Sequence, residues 1–183
     1  DPGTGVHNLS SVAGNFDVFI LKLDTNGNFL WAKSMGSGIN DSGRSVFVDA
    51  SGNVYTTGTF QETGDFDPGI GVSNLTAVGL TDIFVSKLDA NGNFVWVKSM
   101  GGTLDDSGYS LALDNNGNVF VADRGNFRIQ KWTPGATQGI TVAGGNGQGS
   151  AANQLNSPED VYVDSNGNVF VADASNNRIQ KWT

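Results

Sequence analysis

The chain has 183 residues, with 26 glycines, no cysteine, and 18 acidic against 10 basic side chains, so its formal net charge is −8. The absence of cysteine excludes disulfides, thiolate metal sites and a cysteine nucleophile. The acidic balance argues against nucleic acid as a partner, because lysine and arginine drive phosphate binding. No apolar stretch approaches the ~20 residues that span a bilayer, so we expect no membrane insertion.

A five-residue motif, Asp-x-x-Gly-Asn, occurs five times along the chain. Short runs rich in Val, Phe and Ile flank each copy, a pattern that predicts β-hairpins. Glycine provides the positive φ of such a turn, and the aspartate bonds the turn backbone. A calcium-binding interpretation is less favoured, because calcium takes about six to eight oxygen ligands from a longer loop. The copies begin at Asp24, Asp49, Asp89, Asp114 and Asp164.

Two kinds of repeat are superposed on this motif. The segment DVFILKLDTNGNFLWAKSMG at 17–36 returns 65 residues later as DIFVSKLDANGNFVWVKSMG at 82–101. The segment DNNGNVFVADRGNFRIQKWT at 114–133 returns 50 residues later as DSNGNVFVADASNNRIQKWT at 164–183. Each complete unit predicts four strands: SVFVD, NVYTTGTF, DIFVSKLD and NFVWVKSM in the longer, SLALD, NVFVAD, FRIQKWT and ITVAGG in the shorter. Four antiparallel strands per repeat predict an all-β fold, a β-propeller with almost no helix.

The repeats divide the chain into four parts: a partial blade (1–42), two complete blades (43–106 and 107–157) and a second partial blade (158–183). Thirteen predicted strands make about three blades, fewer than the usual closed ring of about four to eight. Open sides would expose apolar faces to water. We therefore expect a homo-oligomer that closes the ring, a dimer of about six blades. In that dimer RIQKWT and DVFILKLD compete for one place in the shared blade. The alternative is an excerpt from a longer protein.

The two kinds of repeat resemble different families. The last part, SPEDVYVDSNGNVFVADASNNRIQKWT at 157–183 and DSGYSLALDNNGNVFVADRGNFRIQKWT at 106–133, resembles NHL repeats. The first part, about 1–106, resembles SBBP repeats through D-I-F-V-x-K-L-D-x-N-G-N and the following tryptophan. Both resemblances imply a propeller, and they favour an extracellular or cell-envelope location in a bacterium. Neither brings a catalytic motif.

Several side chains recur at the blade period, and we predict structural roles for them. The tryptophans form the pairs Trp31 with Trp96 and Trp132 with Trp182. Rings at such spacing pack between blades, and a glycan-stacking platform is the alternative. Opposite charges recur as Asp123 with Arg128 and Asp173 with Arg178, which predicts an ion pair that fastens adjacent strands or blades.

Few residues suggest chemistry. Asp65 and Asp67 in GDFDPG are the weak candidates for a metal, and turn formation explains them as well. The single histidine, His7, is a loop residue whose repeat mate is Ser73. We therefore expect no catalytic residue and no cofactor. The predicted function is a non-enzymatic scaffold that binds itself; the alternatives are a glycan- or protein-binding propeller and a fragment of a propeller hydrolase or lyase.

Overall fold

The computed structural model describes residues 5–103 and 105–183, which are almost entirely β-structure. Fifteen strands in these residues form four antiparallel sheets of three or four strands. Helical structure in the same residues is limited to the 3₁₀ turns Val12–Gly14 and Ala174–Asn176. The described part contains no helix with the length and apolar character needed to cross a membrane. These sheets have the strand number and pairing of propeller blades, so the predicted all-β fold class is confirmed.

The first sheet departs from the sequence prediction. Its strands β1 (Val18–Leu23) and β2 (Phe29–Ser37) form the expected hairpin. Two further strands, β5 (Thr63–Asp65) and β6 (Asn74–Thr76), come from the next repeat, and β5 pairs with the end of β2. The predicted total of thirteen strands is therefore wrong. Strands of three residues with at most one apolar side chain, Leu75 in β6, lack the apolar run that signals a strand in sequence.

The other sheets contain the strands predicted for them, in chain order. The second sheet consists of β3 (Ser42–Val48), β4 (Val54–Phe60), β7 (Asp82–Leu88) and β8 (Phe94–Met100). The third consists of β9 (Gly108–Leu113), β10 (Val119–Asp123), β11 (Arg128–Trp132) and β12 (Ile140–Gly144). The fourth has three strands, β13 (Pro158–Val163), β14 (Val169–Asp173) and β15 (Arg178–Trp182).

The five Asp-x-x-Gly-Asn segments are hairpin turns with one hydrogen-bond pattern. In the first, Asp24 Oδ1 accepts the N–H groups of Asn26 and Asn28, each at 2.8 Å, and Asp24 Oδ2 accepts the Asn28 side-chain amide at 2.8 Å. The same bonds recur in the other four copies. The turn glycine has φ of +82° in this copy, which favours glycine. Both carboxylate oxygens of the aspartate thus accept hydrogen bonds from within the same turn.

Three apolar cores lie between neighbouring sheets. The first joins Val18 and Ile20 of β1 to Phe84 of β7, with Phe66 from the loop after β5. The second joins the second and third sheets, and the third joins the third and fourth. Phe66 is fully buried, with its ring centroid 4.9 Å from that of Phe84. The extra hairpin of the first sheet is therefore anchored in the core.

Candidate interaction surfaces

Among the described residues, no strand pairs with the outer edge of β1. Its repeat mate β7 pairs on that side with β4, from Val54 opposite Leu88 to Phe60 opposite Asp82. Phe19 in β1 is 68% exposed, whereas its mate Phe84 is fully buried. Phe84 is buried by the first sheet, which packs on its face of the second sheet through Phe66. The two strands have nearly the same sequence, and no described sheet packs on the face of β1 that carries Phe19, so Phe19 is exposed. We name this edge, with Phe19 and Leu21, the β1 edge.

A groove runs along the β1 edge. Its volume is about 300 Å³, and its walls are Phe19 to Leu21 of β1, Gly43 to Val46 of β3, and Thr56. Most of this lining is apolar side chain or backbone, which suits a strand more than a small polar ligand.

In the described residues β15 also lacks a neighbour that its repeat mate has. Its repeat mate β11 pairs with β12, whereas β15 has β14 alone as a neighbour. Ile179 in β15 is 68% exposed, while its mate Ile129 is fully buried. We name the outer edge of this strand the β15 edge. Among the described residues, the first and the fourth sheets thus each carry an exposed apolar side chain, Phe19 and Ile179, whose repeat mate is buried.

A polar cluster combines equivalent positions on the first strands of three sheets with Arg124, which follows β10. Arg44 in β3, Tyr109 in β9 and Glu159 in β13 are separated by the two repeat periods. The guanidinium carbons of Arg44 and Arg124 each lie 4.9 Å from the Tyr109 ring centroid, and Arg124 lies 3.8 Å from Glu159. We name these four residues the inner-strand cluster. Sequence reasoning missed it, although comparing equivalent repeat positions would have shown three different residue types.

All four tryptophans are partly buried against the cores between sheets. Trp31 contacts the first core, Trp96 and Trp132 contact the second, and Trp182 contacts the third. Trp31 Nε1 donates to the carbonyl of Ala90 at 3.2 Å. This placement is that of inter-sheet packing; the glycan-platform alternative stays a prediction.

The paired charges lie where adjacent strands of one sheet meet. Arg128 Nε lies 2.7 Å from Asp123 Oδ2, joining β11 to β10, and Arg178 Nε lies 2.7 Å from Asp173 Oδ2, joining β15 to β14. Both carboxylates are buried. Arg178 also donates to three carbonyls in the loop 150–154, contacts that Arg128 lacks among the described residues.

The weak metal candidates take part in loop geometry. Asp65 Oδ1 accepts the N–H groups of Asp67 and Ser73, at 3.0 and 2.8 Å, and Asp67 Oδ1 accepts that of Gly69 at 2.8 Å. Hydrogen bonding of this kind is typical of turns. The ring of His7 stacks on Phe29 at 3.9 Å.

A separate set of carboxylates lies at the junctions between sheets. At the first junction Asp41 accepts the N–H groups of Ser37 and Gln61. At the second, Asp106 accepts the N–H of Gly102 at 2.7 Å and the side-chain amide of Asn126. Burial is the main cause that raises the pKa of both Asp41 and Asp106.

Residues 110–132 and 155–182 match the NHL repeat. The two NHL repeats include β10, β11 and all three strands of the fourth sheet, where the sequence resemblance indicated them. The strand pairing of these sheets is the one expected of propeller blades.

Relatives of much greater length share parts of this sequence. Regulatory protein FlaEY of Caulobacter vibrioides is 33% identical over 117 residues, which cover 64% of this chain and 12% of that protein. The uncharacterized WD repeat-containing protein L264 of Acanthamoeba polyphaga mimivirus is 31% identical over 113 residues, covering 54% of this chain and 8% of that protein. A protein of unknown function from Bacteroides caccae superposes with a TM-score of 0.49 and 12% identity, over 86% of this chain and 51% of that one.

Proposed function

We propose that this chain is a non-enzymatic interaction module of propeller blades that associates with a second copy of itself through the β1 and β15 edges. The exposure of Phe19 carries the proposal, because the same residue type is fully buried at the equivalent position in the second sheet. Burying a phenylalanine side chain stabilises an assembly by about 1.5–3 kcal/mol. Pairing the strand also satisfies a row of free backbone donors and acceptors.

The pairing of β4 with β7 supplies a template for this contact. On β7 the neighbour is antiparallel and spans the whole strand, Val54 to Phe60 against Asp82 to Leu88. An antiparallel strand on the β1 edge would extend the sheet, and the sheet of the second copy that packs on it would cover Phe19 as the first sheet covers Phe84. In a two-fold dimer the β15 edge of one copy supplies that strand, so the fourth sheet of each copy continues into the first sheet of the other. The segments RIQKWT and DVFILKLD, which the sequence analysis placed in competition for one position, then lie side by side as β15 of one copy and β1 of the other.

The proposed role as a propeller interaction module is supported by the repeat type named in one relative. WD repeats, named in the mimivirus protein, build β-propellers. Our interpretation of the 65-residue units as SBBP repeats belongs to this proposal. One histidine and no cysteine in the whole chain support a non-enzymatic role. We assign a protein or glycan ligand to the inner-strand cluster, because its positions differ between repeats while the turns do not.

Native mass spectrometry and light scattering test the association. The wild-type chain at micromolar concentration should give twice the chain mass of 19.1 kDa. Phe19→Asp should give the single-chain mass, because a charge cannot be buried at the paired edge without a large desolvation cost. Val72→Asp is the matched control, since Val72 is 72% exposed and lies in the β5–β6 loop.

Two outcomes would overturn this proposal. One is a wild-type chain that remains at 19.1 kDa. The other is a Phe19→Asp variant that keeps the double mass. Circular dichroism of both variants distinguishes lost association from lost folding, and Ile179→Asp tests the β15 edge independently.

A further inference from the structure

The second junction between sheets holds three buried carboxylates and one arginine. Asp82, Asp106 and Asp123 are each at most 2% exposed. Arg128 forms an ion pair with Asp123, and no described Lys or Arg forms one with Asp82 or Asp106. A buried carboxylate needs a compensating cation, a metal or a proton. Asp82 and Asp106 therefore leave two negative charges to be balanced.

One oxygen of Asp82 points to a missing ligand. Its Oδ2 accepts the N–H of Val78 at 2.9 Å, but its Oδ1 is buried with no hydrogen-bond partner among the described residues. That oxygen lies against Gly101, at the place where a side chain would begin. Asp106 accepts the N–H of the next residue, Gly102. Both carboxylates thus contact the segment Gly101 and Gly102, where the absence of side chains leaves space for their oxygens.

The first junction repeats this arrangement 65 residues earlier. Asp17 and Asp41 are the mates of Asp82 and Asp106, and Gly36 is the mate of Gly101. Asp17 Oδ1 is again buried without a partner. A Cβ atom added at Gly36 would lie 2.8 Å from Asp17 Oδ1 and 2.5 Å from Asp41 Oδ2, so both carboxylates approach the same glycine. The unpartnered carboxylate oxygen therefore recurs at the same position in both 65-residue repeats.

The third junction is an internal control. Asn156 stands 50 residues after Asp106, so the equivalent position there is neutral. Its backbone N–H donates to Asp173 at 2.6 Å, and Arg178 pairs with Asp173. Charges balance at this junction. Asparagine is consequently compatible with the fold at the position of Asp106.

We propose that Asp82 and Asp106 bind a hard divalent cation of the Ca²⁺ type at the second junction. Such a cation balances both carboxylates and satisfies Asp82 Oδ1. In residues 5–103 and 105–183 no three acidic or histidine side chains form a metal-ligand group. Backbone carbonyls and water therefore complete the coordination shell, as they do in many calcium sites. The ion would fasten the end of the second sheet to the start of the third.

Calcium itself is the probe for the experiment. Isothermal titration and thermal melts in about 0.15 M salt, which screens diffuse surface attraction, compare wild type with Asp106→Asn. We expect Ca²⁺ to raise the melting temperature of the wild type and Asp106→Asn to lower the stoichiometry by one ion per chain. Glu62→Gln is the charge-matched control, because Glu62 is exposed and lies outside the second junction; this variant should bind calcium as the wild type does. Near-UV circular dichroism verifies folding of each variant.

The opposite results are equally definite. If the two carboxylates share a proton instead, Ca²⁺ leaves the melting temperature unchanged, and the proposal is overturned. It is overturned as well if Asp106→Asn binds as many ions as the wild type, or if Glu62→Gln loses the same ion. Asp82→Asn gives a second, independent variant, which should match Asp106→Asn.

Discussion

Arg128 and Arg178 occupy the same position in the two NHL repeats but make different contacts, which allows a matched test. Each pairs with a buried aspartate, Asp123 or Asp173, at 2.7 Å. Arg178 adds three hydrogen bonds to carbonyls of the loop 150–154, at 2.7 to 3.0 Å. We predict that Arg178→Ala destabilises the protein more than Arg128→Ala does.

The magnitudes follow from these contacts. Breaking a fully buried ion pair costs about 3–5 kcal/mol. The arginine side chains are 27% and 30% exposed, so we reduce the cost of each pair to about 2–3 kcal/mol. The three further bonds of Arg178 add about 0.5 kcal/mol each, because the released carbonyls can bind water. Arg128→Ala should therefore lower the free energy of unfolding by about 2–3 kcal/mol, and Arg178→Ala by about 1.5 kcal/mol more.

Urea unfolding followed by circular dichroism and tryptophan fluorescence measures both losses. Lys131→Ala and Lys181→Ala are the controls, since each removes one positive charge from an equivalent position and leaves the aspartates paired. Their side chains lie over Phe120 and Phe170, at 5.4 and 5.8 Å, and their removal should cost less than about 1 kcal/mol. Equal losses for the two arginine variants, or a lysine variant as unstable as its arginine partner, would refute the reasoning.

Two further predictions concern stability. Gly58→Ala should lower the free energy of unfolding in urea by about 1–3 kcal/mol, because the new methyl group meets the Ser42 carbonyl. Gly38→Ala is the control and should leave the stability unchanged, because the space around Gly38 is open. Equal effects of the two substitutions would contradict this prediction. Without calcium, the free energy of unfolding should peak at mildly acidic pH. It falls below pH ~4 because the native turn aspartates have lowered pKa values, led in Asp24 by the Asn28 hydrogen bond, and the unfolded chain takes up more protons. It falls again toward neutral pH because burial raises the pKa of Asp106 in the native state, so native protons are lost; Asp106→Asn should flatten that side of the profile, and an unchanged profile would contradict the assignment.

The hairpins could be predicted from sequence because their causes are local. In each Asp-x-x-Gly-Asn turn the residues that bond one another lie within four positions, as Asp114 and Asn118 do. The β5–β6 hairpin could not be predicted, because its pairing partner Gly36 lies 29 positions before Asp65. Gly64 permits that pairing, since a side chain there would meet the backbone of Gly36.

The candidate sites were only partly visible in sequence. The charge pair Asp123 and Arg128 was predicted because both residues recur with the repeat. Asp82 and Asp106 recur too, but sequence shows neither their burial nor the orphaned oxygen of Asp82. The exposure of Phe19 arises because no described sheet packs on that face of β1. The comparison of the exposed Phe19 with the buried Phe84 shows that this surface is covered in the equivalent repeat.

The inner-strand cluster bears on how two copies would meet. Along the first strands of the second, third and fourth sheets the equivalent residue is positive in Arg44, neutral in Tyr109 and negative in Glu159. If the fourth sheet of one copy adjoins the first sheet of the other, Glu159 and Arg44 of different copies lie toward the same joint. Joining like ends would bring equal charges together, and such contacts oppose association. The order of charges therefore favours unlike ends, which is also the arrangement that covers Phe19 in both copies.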